Sequence, residues 1–174
     1  MIKSLFINIQ FIFYITVLIL NLGCVSNSGD IYKGNQDSGK IENFDPVEIR
    51  KRHLDYLNAL RQEKGLGNLK ISNSLNSSAA THARDIFKQQ RAWNFGSDGS
   101  SPQKRAEVSG FLGVVTGENV SETYEGEFLV LQVWLKNSFS RSVLLNKEAT
   151  KLGLGWHQEG NGKIWWVQVL GFQK

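Results

Sequence analysis

At 174 residues, 41% of them hydrophobic, the chain is long enough for one domain with a sizeable core and too short for two of ordinary size. Its 20 lysines and arginines are scattered among 16 acidic residues for a formal charge of +4, which argues against a nucleic-acid-binding polycation. A single cysteine excludes an internal disulfide framework, so an exported form of the domain must rely on its core alone.

Residues 1–23 read as an export signal: Lys3 precedes the apolar run from Leu5 to Leu20, which ends in "LNLGC" ahead of a polar stretch. Cys24 follows Gly23, where a bacterial lipoprotein signal places the cysteine that is lipidated after cleavage, although Asn21 stands where such signals usually carry an apolar residue. An ordinary secretory signal with an incidental cysteine is the alternative, and an uncleaved anchor is a third reading. Residues 24–44 are rich in Ser, Gly, Asn and Asp without an apolar period, as in a flexible linker.

The domain is expected over 45–174. "DPVE" at 45–48 offers an N-cap acceptor, proline at the first helical position and Glu48 three residues after the cap. The first helix should run to about Lys64, burying Val47, His53, Leu54, Leu57 and Leu60, with Gly65 ending it. "IRKR" at 49–52 lies on this helix beside Glu48 and Asp55 and reads as a solvated face rather than a nucleic-acid patch.

A second helix is expected from about Ser74 to Ala92, burying Leu75, Ala79, Ala83, Ile86 and Phe87 and leaving His82 at the edge of that face. A short helix follows around Pro102 to Ser109, then a strand over 114–122 broken at Gly117, then a broadly apolar third helix over 126–138. "KLGLGWHQ" and "KIWWVQVLG" around the turn "EGNG" form a hairpin. Strand alternation should send one of Trp165 and Trp166 inward and the other outward. These elements make an α+β fold in which three main helices surround a small antiparallel sheet.

"LDYLNALRQEKGLGNLKISNSL", "AATHARD", "GSDGSSPQKRAEVSGF", "GENV", "VWLKNSFSRSVLLN" and "ATKLGLGW" with "WWVQVLG" come in the order and nearly the spacing of one family. From about residue 49 onward the chain resembles the CAP superfamily of cysteine-rich secretory, antigen 5 and pathogenesis-related proteins, in its bacterial SCP-like form. The resemblance implies an α-β-α sandwich. It also implies a central cleft that in some members uses two histidines and acidic residues to bind a divalent metal such as zinc.

On that pattern Asn94 stands at the first histidine position and Ser140 at the second, with Arg141 retained behind it and Asn137 three residues after Trp134. Glu118 of "GENV" is the surviving charged group of the cleft. His53, His82 and His157 fall on three separate elements, so no metal site and no cofactor are expected.

Glu118 has two readings. It either faces a cleft with Asn94, Asn137 and Ser140 and binds a polar ligand, or it is structural, accepting backbone hydrogen bonds or pairing with Arg141. Asn119 reads as a structural tie between loops, and His82 as a helix-edge imidazole bonded to a carbonyl. Ser140 lacks an expected histidine base, so no catalytic residue is assigned. An exposed tryptophan beside Trp93 or Phe95 could line an apolar groove.

The expectation is therefore an exported cell-envelope domain, tethered to a membrane by lipid on Cys24 or else secreted. It would bind a small molecule, lipid or protein without catalysis, through Asn94, Glu118, Asn137, Ser140, Arg141 and His82. The alternatives are a divergent hydrolase or metal-dependent protein using Glu118 with His82 or Ser140, and an adhesion module acting through its outer surface.

Overall fold

The computed structural model describes residue 41 and residues 45–123 and 126–173. The export signal and Cys24 lie outside the described residues, as does the linker apart from Ile41. Ile41 is itself buried, and its N–H donates to Gln158 Oε1 at 2.8 Å, so the core includes a residue four positions before Asp45.

Helix α1 spans Pro46–Glu63. Asp45 caps it by accepting from the Val47 amide at 2.8 Å, and Gly65, at φ +68°, follows its end. Its buried face is Ile49, His53, Leu57 and Arg61, each four residues from the last. Val47, expected in that face, is exposed, because two residues turn the helix by about 200° from Ile49. The fully buried Arg61 guanidinium donates to the carbonyls of Gly67, Leu144, Asn146 and Ala149, fastening α1 to the segment before β3.

Strand β1, Lys70–Ile71, is too short to show a period and was not anticipated. It pairs parallel to β3 (Lys151–Gln158), so the sheet is mixed rather than wholly antiparallel. β3 and β4 (Ile164–Phe172) form the expected hairpin, and β2 (Val114–Thr123) lies antiparallel on the far side of β4, giving the order β1-β3-β4-β2.

Helices cover both faces of this sheet. α2 (Asn73–Gln89) and α3 (Pro102–Val108) pack over Trp165, Val167 and Val169, while α1 and α4 (Glu127–Lys136) pack over Leu152, Leu154, Ile164, Trp166 and Leu170. Trp165 and Trp166 point to opposite faces as strand alternation requires, yet both are buried, because each face has its own helical layer. β3 alternates leucine with glycine for the same reason. Leu152 and Leu154 fill one layer, whereas a Cβ on Gly153 or Gly155 would run into the α2 backbone at Leu75 or at Ala79 and Ala80. Both cores are built between Ile41 and Leu170, so the fold rests on this segment.

Three elements depart from expectation. α2 stops at Gln89, where Gln90 takes a left-handed φ of 52° and its side chain donates to the Phe87 carbonyl at 2.7 Å. β2 is one ten-residue strand in which a register shift between Val115 and Gly117, rather than a break, accommodates the glycine; a Cβ there would meet the Val143 side chain. The third helix is two, α4 and α5 (Ser138–Leu144), because Asn137 leaves helical geometry at ψ 127° and accepts from the Ser140 amide at 3.0 Å. Asparagine favours this local bond over the helix interior.

Candidate ligand-binding cleft

The loop after α2 is pinned back onto its own helix. Trp93 donates from Nε1 to Gln89 Oε1 at 2.9 Å, packs at a tilt against Phe95 with ring centroids 5.2 Å apart, and lies 4.0 Å beneath the Arg91 guanidinium. Its carbonyl accepts from His82 Nε2 at 2.9 Å. His82 is fully buried rather than at a helix edge, held between the loop at the Trp93 carbonyl and Glu118 of β2. Burial, reinforced by the nearby Arg105 charge, pushes its pKa down to about 4, so the ring is neutral at pH 7 with Nε2–H as donor. Nδ1 has no hydrogen-bond partner and lies 3.8 Å from the Asp85 carboxylate.

Asp85 in turn shapes the next turn of chain, accepting from the Ser97 amide at 2.9 Å and the Ser97 hydroxyl at 2.6 Å. Burial raises its carboxyl pKa, but these bonds outweigh it and hold the group below its ordinary value. Ser101 then caps α3, with Pro102 at its start, and the helix carries Arg105 inward.

Arg105 is the group that organises the site. Its Nη2 donates to both oxygens of Glu118, at 2.8 and 3.0 Å, and to the Asn94 carbonyl at 3.1 Å; Nη1 donates to the Ser100 carbonyl at 2.6 Å. The Glu118 side chain is 1% exposed. Asn94 completes its shell, donating from Nδ2 to Glu118 Oε1 at 3.0 Å and to the Glu118 carbonyl at 3.1 Å. Burial pushes the Glu118 carboxyl up, opposed first by the Arg105 charge and then by the Asn94 and Arg105 hydrogen bonds.

Asn94 also satisfies part of the outer edge of β2. Along that edge Gln103 accepts from the Val115 amide and Trp134 donates to the Val120 carbonyl, so side chains occupy groups that another strand would otherwise pair with.

Asn94 and Glu118 thus come together, joined by Arg105, and His82 Nε2 lies 3.7 Å from Glu118 Oε1. Asn137, Ser140 and Arg141 do not touch Glu118. Asn137 caps α5, the exposed Arg141 donates to the Leu135 carbonyl at 3.1 Å, and the Ser140 carbonyl accepts from Asn119 Nδ2 at 3.2 Å. The two groups separate because neighbouring residues of a strand face opposite sides: Glu118 points to the α2–α3 layer and Asn119 to the other. There Asn119 also donates to Gln168 Oε1, and Gln168 Nε2 donates at 2.7 Å to Nε2 of buried His53, whose Nδ1–H donates to the Glu127 carbonyl. Burial lowers the His53 pKa to about 4.

The partner of Glu118 is Arg105, not Arg141. Sequence reasoning missed it, although a carboxylate expected to be buried needed a cation and α3 was the short basic helix between the loop and β2. No group of three or more His, Cys, Asp and Glu able to hold a metal ion occurs among the described residues. The donors present do not fit zinc either: both Glu118 oxygens face a guanidinium, His82 Nε2 is committed to a carbonyl, and amide and hydroxyl groups stand at the two histidine positions.

Beside this cluster a cleft of about 440 Å³ opens between Arg84 and Lys88 on α2 and Lys104 and Val108 on α3, with His82 and Arg105 also in its lining. No helix among the described residues is long and apolar enough to cross a membrane.

The fold matches solved extracellular and surface proteins. An outer surface protein from Borrelia burgdorferi aligns at TM-score 0.68 and 20% identity over 75% of this chain and 97% of that one. An extracellular SCP-domain protein from Bacillus anthracis aligns at 0.64 and 19% identity, over 75% of this chain and 44% of its own. In sequence, the protein YkwD of Bacillus subtilis is 26% identical over 121 residues, which are 70% of this chain and 46% of YkwD, so the match spans about half of that relative. The profile of the cysteine-rich secretory protein family matches residues 54–170, and the chain belongs to this family, known as CAP.

Proposed function

We propose that the chain is an exported, membrane-tethered CAP domain that binds a ligand or partner without catalysis, using the cleft beside Asn94, Glu118, Arg105 and His82. The observation that carries this reading is the internal saturation of Glu118. A carboxylate that takes two bonds from Arg105 and one from Asn94 is neither a free base nor an open ligand position. His82, neutral and donating to a carbonyl, positions the loop rather than moving protons. What remains is a rigid cleft wall, suited to recognition.

The tether is the segment from Cys24 to the first described residues, and its anchor is lipid on that cysteine. Intact-mass measurement of the chain from the membrane fraction tests the anchor: the N-terminus should lie at Cys24 with added diacylglycerol mass, and an unmodified Cys24 refutes it. Native mass spectrometry of the same preparation tests the cleft. A bound organic molecule lost on replacing Arg84 and Lys88 by Ala supports the reading, and turnover of a candidate substrate that Glu118→Gln abolishes overturns it.

A further inference from the structure

Two buried side chains in the lining of the α2–α3 cleft are held fast yet incompletely bonded. His82 is fully buried, and Nε2 carries the ring proton because it faces the Trp93 carbonyl, which leaves Nδ1 a lone pair with no donor among the described residues. Arg105 is 8% exposed and commits both terminal nitrogens to Glu118, Asn94 and Ser100, while its buried Nε–H meets no acceptor among them. Because each side chain is fixed at its other end, neither can turn to satisfy the free atom.

The nearest carboxylate does not serve Nδ1. Asp85 stands 3.8 Å away, but it has no hydrogen to give and already accepts from the Ser97 amide and hydroxyl and from Gln89. A fitting ligand donates a hydrogen bond to the imidazole and accepts one from the guanidinium.

Charge narrows the class. Arg84, Lys88 and Lys104 share the lining with Asp85 and Asp98, and the Arg105 charge is met by Glu118. An anion would face two carboxylates and an imidazole lone pair, and a cation would face the lysines and arginines. A neutral molecule avoids both oppositions. Sugar hydroxyls are neutral and both donate and accept. Val108, 77% exposed in the lining, offers an apolar contact for the C–H face of a sugar ring. The cleft volume of about 440 Å³ also suits a small ligand.

We propose that the α2–α3 cleft binds a neutral carbohydrate, one polar hydrogen of the sugar donating to His82 Nδ1 and one sugar oxygen accepting from Arg105 Nε–H. The proposal rests on the ligand-binding reading above and names the class of that ligand.

The test uses the segment from Asn35 onward, the compact unit that contains both cores, labelled with 15N. It is titrated with maltotriose and with triacetylchitotriose, two neutral sugars that differ in their acetamido groups. At least one should bind saturably, shift the amides of cleft residues, and move the His82 Nδ1 resonance in the direction of a nitrogen that accepts a hydrogen bond. The affinity should change less than about twofold between about 50 and 500 mM salt, as a neutral ligand requires. His82→Gln keeps an N–H for the Trp93 carbonyl but leaves no acceptor at the place of Nδ1, and should weaken binding at least about fivefold. Val108→Ser, at an exposed position, should weaken it about threefold. Unchanged circular dichroism confirms that the variants fold, and if His82→Gln does not, the Nδ1 resonance and Val108→Ser decide.

No saturable binding of either sugar up to about 10 mM would overturn the proposal. So would binding that leaves the Nδ1 resonance in place, or binding that weakens steeply with salt. Failure of the underlying reading is separate: a retained molecule that is not a sugar overturns the carbohydrate alone, whereas turnover abolished by Glu118→Gln overturns recognition without catalysis.

Discussion

Replacing Arg105 by Met removes the guanidinium from a carboxylate that is 1% exposed and keeps most of the side-chain volume. Glu118 then retains only the Asn94 amide as a side-chain donor, and its charge has no counter-ion. Stripping one partner from a buried ion pair costs about 3–5 kcal/mol, and the Ser100 and Asn94 carbonyls lose their donors as well. Adding Glu118→Gln to Arg105→Met removes the uncompensated charge, so the double variant should be more stable than Arg105→Met by roughly 2 kcal/mol. Urea unfolding followed by tryptophan fluorescence at pH 7 measures each corner of the cycle, with the m-value checking that the states are comparable. An Arg105→Met variant within about 1 kcal/mol of wild type, or additive effects of the two substitutions, would refute the claim that this pair holds the site.

Acid should destabilise the domain through His53 and His82. Both have folded pKa values near 4, below the ordinary 6.5, so the unfolded chain binds more protons between those limits and stability falls as pH drops. The slope is about 1.4 kcal/mol per pH unit for each ring; His82→Gln should reduce it by about half, and an unchanged slope between pH 6.5 and 4 counts against the assignment. Gly155→Ala places a methyl group against the α2 backbone at Ala79 and Ala80 and should cost about 1–3 kcal/mol in urea unfolding; a neutral effect would mean that α2 can move off β3. Asn94→Ala removes two hydrogen bonds to Glu118 and should cost about 1–2 kcal/mol, with faster amide exchange along the outer edge of β2 as a second readout.

The fold was legible where one local rule acted alone. "DPVE" and Gly65 bracket α1 because a cap and a left-handed stop need no tertiary partner. The hairpin follows from β-rich runs around "EGNG". Expectation failed where burial on a second side mattered: alternation cannot show that a second layer covers the outer of Trp165 and Trp166, nor that the loop after α2 folds back over His82. The break at Asn137 was readable as a capping residue within an apolar run, but the run's period outweighed it. At the candidate site, alignment to a family pattern put Asn94 and Glu118 in view yet not Arg105, because a pairing across 13 residues leaves no periodic signal. The same pattern grouped Asn137, Ser140 and Arg141 with Glu118, and strand alternation separates them.

A zinc titration of the domain, followed by calorimetry and native mass spectrometry without chelator, bears most directly on the claim that Arg105 rather than a metal neutralises Glu118. The geometry predicts no stoichiometric zinc on the wild type and the same result for Glu118→Gln. One tightly bound equivalent on the wild type, lost in Glu118→Gln, would contradict it.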